Sequence, residues 1–405
     1  MTHDSQILIV GGGLGGPALA LALAQAGFSV TVVDALAQKT RKNAAFDGRA
    51  YALALASVRL LSRIGIWEMV AENTQPMLEI KVTDGRAGEG PLSPFGLHFD
   101  HAEIEEGPMG HMCEDRFLRH ALLTAMGRQA SITHLSGETV VAQETGPTSA
   151  RITLASGKTL SGAVLIGADG RSSGTAARAG IARTGWGYGQ TALVAAIGHE
   201  LPHNGVAHQF FMPPGPLAIL PLPGNASSIV WSETEETARK FHALGDADFM
   251  EVLRPRFGDF LGTIELRGKR YTYPLGLSLA NRFTDARLAL VGDAAHGMHP
   301  IAGQGLNAGL RDVAALAQVL GEARMRGEDI GATDVLARYQ QWRRFDTATL
   351  ALATDVTNRL FSNDNPLLRL TRDIGMGAVN AIAPLRRVLI REAAGLTGDL
   401  PDLMR

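Results

Sequence analysis

The first 34 residues constrain the fold more than any other stretch. An apolar run, Ile7 to Val10, meets Gly11-Gly-Gly13-Leu-Gly-Gly16; an alanine- and leucine-rich segment then continues to Ala26, and a second apolar run, Val30 to Val33, closes on Asp34. Short apolar runs bounded by glycine suit strands buried on both faces of a parallel sheet, and the segment between them has the length and composition of a helix. Strand, glycine turn, helix and strand form a βαβ unit of the dinucleotide-binding kind. Its glycines permit a tight turn and a close approach to a diphosphate, and an acid about 20 residues on holds a ribose hydroxyl. Pro17 fits the first helical turn, where its missing N–H leaves no bond unmade. Gly11, Gly13, Gly16 and Asp34 are the candidate cofactor contacts here.

A strand, a loop and a helix are also legible from Arg287 to Leu320. Leu288 to Val291 is a continuous apolar run ending at Gly292 and Asp293, and Leu310, Val313, Ala314, Leu316, Ala317 and Leu320 recur at helical spacing. Between them the loop carries Pro300, Gly303, Gly305, Leu306 and Asn307. Its glycines admit a flat polar group close to backbone, and it feeds a helix N-terminus, where unpaired N–H groups and the macrodipole favour negative charge.

The stretches between these units are read in order. Arg49 follows the turn-forming Asp47-Gly48 and opens a segment from which a guanidinium can reach a diphosphate; taken alone, a surface ion pair is its default role. Glu72 to His101 loses periodicity, as where a chain leaves a domain. Arg116 stands early in a helical segment, facing phosphate or solvent. Val140 to Leu160 reads as a hairpin, and the strand Ala163 to Ile166 leads to Asp169 and Gly170, where open α/β sheets gather ligands; helix capping is the plainer role for one such acid, but Asp293 and Asp34 at other strand ends shift the reading toward a ligand. From Gly185 to Tyr273 short strand-like runs separated by proline and glycine turns indicate an antiparallel sheet with helical insertions at Glu235–Leu244 and Ala247–Leu253. Trp231, Phe210, Phe211 and Tyr188 suit either an interdomain pocket or plain core, and core is the default. After Asp334 the chain is helical.

The fold class is therefore α/β: a Rossmann-like nucleotide domain (residues 1–76, 102–182 and 274–345), an inserted antiparallel-sheet substrate domain (77–101 and 183–273) and a helical C-terminal tail (346–405). A formal net charge of -2 over 405 residues offers no basic excess for nucleic acid. The single cysteine, Cys113, excludes an internal disulfide and a Cys-x-x-Cys pair, and fits a reducing, cytoplasmic setting. No apolar run reaches the length of a membrane span.

Five motifs together resemble the signature set of flavoprotein aromatic hydroxylases: Gly11 to Gly16, Asp47 to Leu53, Glu114 to Leu123, Gly167 to Ser173 and Gly292 to Asp312. Within that class the chain most resembles the ubiquinone-biosynthesis hydroxylases, on the Asp47–Ala50 segment, the HPIAGQGLN loop, the Trp186–Ala195 stretch and the Arg359–Gly375 stretch. Asp34 stands where glutamate is more usual, and Cys113 precedes the Glu-Asp-Arg segment.

The resemblance implies a para-hydroxybenzoate-hydroxylase-like fold with non-covalent FAD. It places the first glycine loop on the diphosphate, Asp34 on the adenosine ribose, Arg49 and Arg116 near the cofactor and Asp293 on the ribityl chain. It associates Asp169 and Gly170 with FAD and the pyridine nucleotide, and sets Pro300 to Asn307 against the isoalloxazine. NAD(P)H reduces the flavin, dioxygen forms a flavin hydroperoxide, and one oxygen passes to the ring of a polyprenylated phenol; the site has to stay dry while this happens. No second nucleotide-binding βαβ unit is visible, so NAD(P)H binds transiently beside the flavin. His299 is the candidate phenol base, against a plainer structural role. The tail after Asp346, with Leu350, Leu360, Phe361, Leu367 and Leu370, is the candidate docking element for a membrane surface or for other ubiquinone-biosynthesis proteins, with an ordinary amphipathic core helix as the default reading. A flavin-dependent prenyl-chain reductase and a non-catalytic flavoprotein scaffold are the alternatives.

Overall fold

The computed structural model describes residues 3–43, 48–84, 96–298, 303–362 and 375–405. Its centre is a six-stranded sheet in the order Thr284–Asp285, Leu288–Leu290, Val164–Gly167, Ile7–Val10, Val30–Asp34, Ile132–Ser136. The inner pairs are parallel, with Ile7 opposite both Val164 and Val30, and Leu165 opposite Leu288. Ile7, Leu8 and Ile9 are wholly buried, as strands covered on both faces require. The helix Gly15–Gln25, whose Gly16 to Ala24 are all buried, covers one face beside the helix Gln304–Met325. The hairpin region forms a three-stranded antiparallel sheet, Val140–Thr145, Ala150–Leu154 and Thr159–Gly162.

The large sheet has eight strands: His296–Gly297, Ile264–Ala280, Arg183–His199, Ala226–Thr234, Gly215–Leu222, Val206–Met212, Glu79–Asp84 and Leu97–Asp100. It departs from a purely antiparallel sheet at one place, where Glu79–Asp84 pairs parallel with Val206–Met212. That strand arrives from an earlier excursion of the chain, so no hairpin fixes its direction.

Alternation along the strands divides the two faces. Leu193, Ile197, Phe210, Leu217, Ile229 and Trp231 pack under the helices Glu235–Ala243 and Asp246–Phe257, against Phe249, Leu253 and Phe257. Trp231 and Phe210 are therefore core. The opposite face carries Ala196, Leu220, Leu222 and Ala226, which meet Met77, Met112, Ala50 and Ala52 of a small sheet formed by Ala50–Ala54, Gly110–Glu114 and Thr74–Met77. That second face looks toward the loop before Gln304, because Ala52 also lies against Gly303.

The long helix Thr333–Phe361 ties the two sheets together. Val335, Leu336 and Tyr339 are buried in the nucleotide-domain core, and the Tyr339 hydroxyl donates to the Leu290 carbonyl at 2.8 Å. Further along, Ala351 and Leu350 pack with Met298, Ala308, Leu277 and Tyr188, at the seam between that core and the large sheet. The helix Ala383–Ala393 seats Ile390 among Phe99, Ile104 and Met109, and Arg386 pairs with Glu103 at 2.7 Å.

Candidate active site

The first glycine turn is dictated by sterics. A Cβ on Gly11, whose φ is +119°, would stand 2.2 Å from the Ala168 carbonyl oxygen, and one on Gly16 would stand 1.9 Å from the Gly11 carbonyl oxygen. Gly12, not singled out from the sequence, is held as tightly: its Cβ would lie 2.2 Å from Asp34 Oδ2. Among the described residues, none lies within 4 Å of a Cβ built on Gly13 and no side chain caps the Gly15–Gln25 helix. A tight turn presenting uncapped helix N–H groups to open space fits a diphosphate, so the residues present suit a dinucleotide cofactor.

Asp34, nearly fully buried, accepts from Arg41 Nε and Nη2 at 2.7 and 2.9 Å and from the Leu36 amide at 3.1 Å. Arg41 was invisible as a partner in the sequence because the six residues between the two belong to no strand whose spacing would pair them. Arg49 and Arg116 come to one end of the small sheet, since the Asp115 amide donates to the Arg49 carbonyl at 3.0 Å. Arg49 pairs with Asp115 at 3.2 Å, Arg119 donates to the same carboxylate at 2.8 Å, and Arg116 pairs with Glu114 at 2.6 Å.

Asp169 takes the capping arrangement. Its carboxylate accepts from the Ser173 hydroxyl, and from the Thr175 amide and hydroxyl at 2.9 Å each, at the start of the helix Gly174–Arg178. Gly170, with φ +80°, opens onto free space beside it. Asp293 is half-exposed and pairs with Arg171 at 3.1 Å, while Arg183 donates to the Asp293 carbonyl at 3.1 Å and to the Ala294 carbonyl. This turn is thus clamped by two arginines.

Gly303 adopts φ +64° with its Cβ position 3.0 Å from Ala52 Cβ, and Gly305, in the first turn of the Gln304–Met325 helix, faces open space. Leu306 packs on the main core. Asn307 acts as a bracket: its Oδ1 accepts from the Ala54 amide at 2.9 Å and the Ser57 hydroxyl at 2.8 Å, and its Nδ2 donates to the carbonyls of Ala52 and Gly303. His299 and Pro300 lie outside the described residues. A cavity of about 260 Å³ extends from Gln304, Asn307 and Ser57 outward to Leu350 and Phe345 of the long helix.

Sequence reasoning missed the group behind this loop. Asp312, wholly buried, accepts from the Gly292 amide at 2.9 Å, His296 Nε2 at 2.6 Å and Arg343 Nε at 2.8 Å. Burial works to raise the Asp312 carboxyl, but the His296 and Arg343 contacts outweigh it and hold the group below the usual carboxylate range. Arg343 also reaches Asp346 at 2.9 Å, and Arg311 lies 3.7 Å from the same acid. Two carboxylates, Asp312 and Asp346, thus face two guanidiniums, Arg343 and Arg311. The only sequence signal is a carboxylate, Asp312, placed inside an otherwise apolar helical stripe.

A glycine-turn βαβ core, a second strand–loop–helix with an uncapped N-terminus, and a large sheet facing that loop define a two-domain flavoprotein of the aromatic-hydroxylase architecture. The family model described as "FAD binding domain" matches residues 4–351. The chain belongs to that FAD-binding family and, within it, to the ubiquinone hydroxylases. It is 46% identical over 404 residues to "Ubiquinone hydroxylase UbiL" of Rhodospirillum rubrum, covering 99% of this chain and 92% of the relative. It is 34% identical over 399 residues to the 3-demethoxyubiquinol 3-hydroxylase of Escherichia coli, covering 98% and 100%. Among solved structures, p-nitrophenol 4-monooxygenase from Pseudomonas putida superposes with a TM-score of 0.81 at 18% identity over 98% of this chain and 99% of that one, which speaks to the fold.

Proposed function

We propose that the protein hydroxylates the ring of a polyprenylated phenol in ubiquinone biosynthesis, with FAD as cofactor, NAD(P)H as reductant and dioxygen as oxygen donor. The observation that carries this reading is the end-to-end similarity to ubiquinone hydroxylases, joined to a sheet face that looks onto the loop before Gln304. FAD, when bound, takes reducing equivalents from NAD(P)H and activates dioxygen for transfer of one atom to an electron-rich carbon.

The chain's own residues do the rest. Gly11, Gly13 and Gly16 hold the diphosphate, Asp34 the adenosine ribose, and Arg49 and Arg116 approach the cofactor from the small sheet. Asp293, kept in place by Arg171 and Arg183, receives ribityl hydroxyls. Asp169 stabilises the turn whose Gly170 backbone meets the nucleotides. The uncapped helix behind Gly303, Gly305, Leu306 and Asn307 stabilises negative charge on the reduced ring. In this reading residues 1–76, 102–182 and 274–345 serve FAD, 77–101 and 183–273 the substrate, and 346–405 close the site.

Among the described residues no helix is long and apolar enough to cross a membrane. We assign weak, reversible contact with a lipid surface to Phe345, Leu352 and Val356 of the long helix and to Ile382, Leu385 and Val388, all exposed, with exposed Arg344 and Arg387 beside them. Of the residues expected to dock, Leu350 is packed inward, Phe361 stacks on Phe211, and Leu367 and Leu370 lie outside the described residues. The direct test is turnover of FAD-loaded protein with NAD(P)H and a prenylated phenol: oxygen uptake matched by hydroxylated product supports the reading. Alkene reduction without oxygen supports a prenyl-chain reductase, and flavin binding without turnover a scaffold.

A further inference from the structure

Two of the four stretches that carry the closer resemblance, Trp186–Ala195 and the one beginning at Arg359, meet in space. The strand Arg183–His199 is bulged: its pairing with Ile264–Ala280 jumps between Gly187 and Gln190, and Gly189 adopts φ +66°. The bulge brings three side chains to the second half of the long helix. The Trp186 indole donates to Asp355 Oδ1 at 3.0 Å, and Arg359 pairs with Asp355 Oδ2 at 3.0 Å. Gln190, almost fully buried, accepts from Asn358 Nδ2 at 3.0 Å and donates to the Ser362 hydroxyl at 3.2 Å and the Pro214 carbonyl at 2.7 Å. Ser362 in turn donates to Asn358 Oδ1 at 3.0 Å. Burial opposes ionisation of Asp355, yet hydrogen bonds from Tyr188, Arg359 and Trp186 keep its carboxyl below the usual range.

This half of the helix is inside out. Its buried residues are Thr347, Ala351, Thr354, Asp355 and Asn358, while Leu352 and Val356 are more than half exposed and Leu360 is exposed. A helix on a globular protein ordinarily buries the apolar stripe and exposes the polar one. Here the far end of the helix is attached to the large sheet mostly by hydrogen bonds, which a water molecule can replace, with apolar closure from Phe361 on Phe211, ring centroids 4.2 Å apart, and from Leu350 and Ala351 packed with Leu277 and Tyr188. The same half runs from the seam at Met298 and Ala308 to Gln190 on an interior strand of the large sheet.

We propose that Gln190 with Asn358 and Ser362, and Trp186 with Asp355, form a polar latch that determines specificity for a long-chain substrate and keeps oxygen transfer coupled. The inference rests on the hydroxylase reading. A polyprenyl chain exceeds the cavity of about 260 Å³ walled by Gln304, Asn307 and the helix residues Phe345, Leu350 and Ala353, so its entry requires that helix wall to lift. The chain offsets the lost hydrogen bonds by lying against Leu277, Leu279 and Met298, the apolar seam residues that the closed helix covers; a short phenol has nothing to offer in exchange. With the latch closed, water stays out of the site.

The test uses FAD-loaded protein with Gln190→Ala, Asn358→Ala and the double variant. Hydrogen exchange measured without substrate should rise several-fold at amides 351–361 and stay parental in the Gln304–Met325 helix, with flavin content unchanged. Hydrogen peroxide released per NAD(P)H oxidised should rise several-fold, and the ratio of kcat/KM for a long-chain over a short-chain phenol should fall. The double variant should match the stronger single one, as expected for one unit. Parental exchange at 351–361 overturns the latch, and so does raised exchange with parental peroxide release and an unchanged substrate ratio. Wild-type protein that hydroxylates no phenol overturns the hydroxylase reading instead, and the exchange arm still decides whether the latch holds the helix.

Discussion

Asp312 shows how one buried charge organises the site from behind. Its three donors come from the Gly292 turn, from His296 and from Arg343 of the long helix, so a single carboxylate aligns the Asp293 turn with two helices. Replacing it by asparagine leaves Arg343 short of a counter-charge, and losing one member of a buried pair costs about 3–5 kcal/mol. Because the folded carboxyl sits below its ordinary value, its stabilisation is complete above the unfolded pKa of about 4 and is lost as pH falls through the lower folded value. Urea midpoints should therefore drop on acidification below about pH 4 by less in Asp312→Asn than in the parent; equal slopes would remove Asp312 from this role. Cys113 is inert by contrast: burial pushes its thiol up to about 12, as suits a small core side chain.

At the level of elements, what was legible in the sequence is what local sterics enforce. Gly11, Gly16 and the apolar runs Ile7–Val10 and Leu288–Val291 each carry their reason within a few residues, so the turns and strands could be read directly. Arg41 on Asp34, Asp312 with Arg343, and Trp186 with Asp355 could not, because each pair joins separate elements and no spacing encodes it. The parallel strand Glu79–Asp84 escaped for the same reason: its partner lies more than 100 residues on. The glycines also separate by role. Gly305→Val places its side chain in open space, so the variant should fold and keep near-parental thermal stability, while the close approach of backbone to the flavin ring is blocked and hydroxylation falls at least tenfold. Gly16→Val should fail to fold or lose FAD outright, because its Cβ collides with the Gly11 carbonyl. A Gly305→Val variant hydroxylating at the parental rate would detach the loop from the ring.

For the molecule as a whole, the C-terminal region belongs to the body and is no appendage. Met404 is buried in the main core, Ile390 in a core of its own, and Arg311 donates to the Gly395 carbonyl at a distance of 2.6 Å. Deleting everything after Asp346 would therefore test folding and not docking. Leu352→Glu with Val356→Glu changes only the outward face and should abolish co-sedimentation with anionic vesicles without altering flavin content; retained sedimentation would move the lipid contact elsewhere. The nucleotide core, the large sheet and the long helix across their seam converge on one claim, oxygen transfer from dioxygen to a phenol ring. The measurement that tests it most directly is turnover of the FAD-loaded protein under ¹⁸O₂ with NAD(P)H and a polyprenylated phenol, read by mass spectrometry. One ¹⁸O atom on the product ring is the expected result, and a product whose added oxygen comes from water, or that gains hydrogen and no oxygen, would contradict the account.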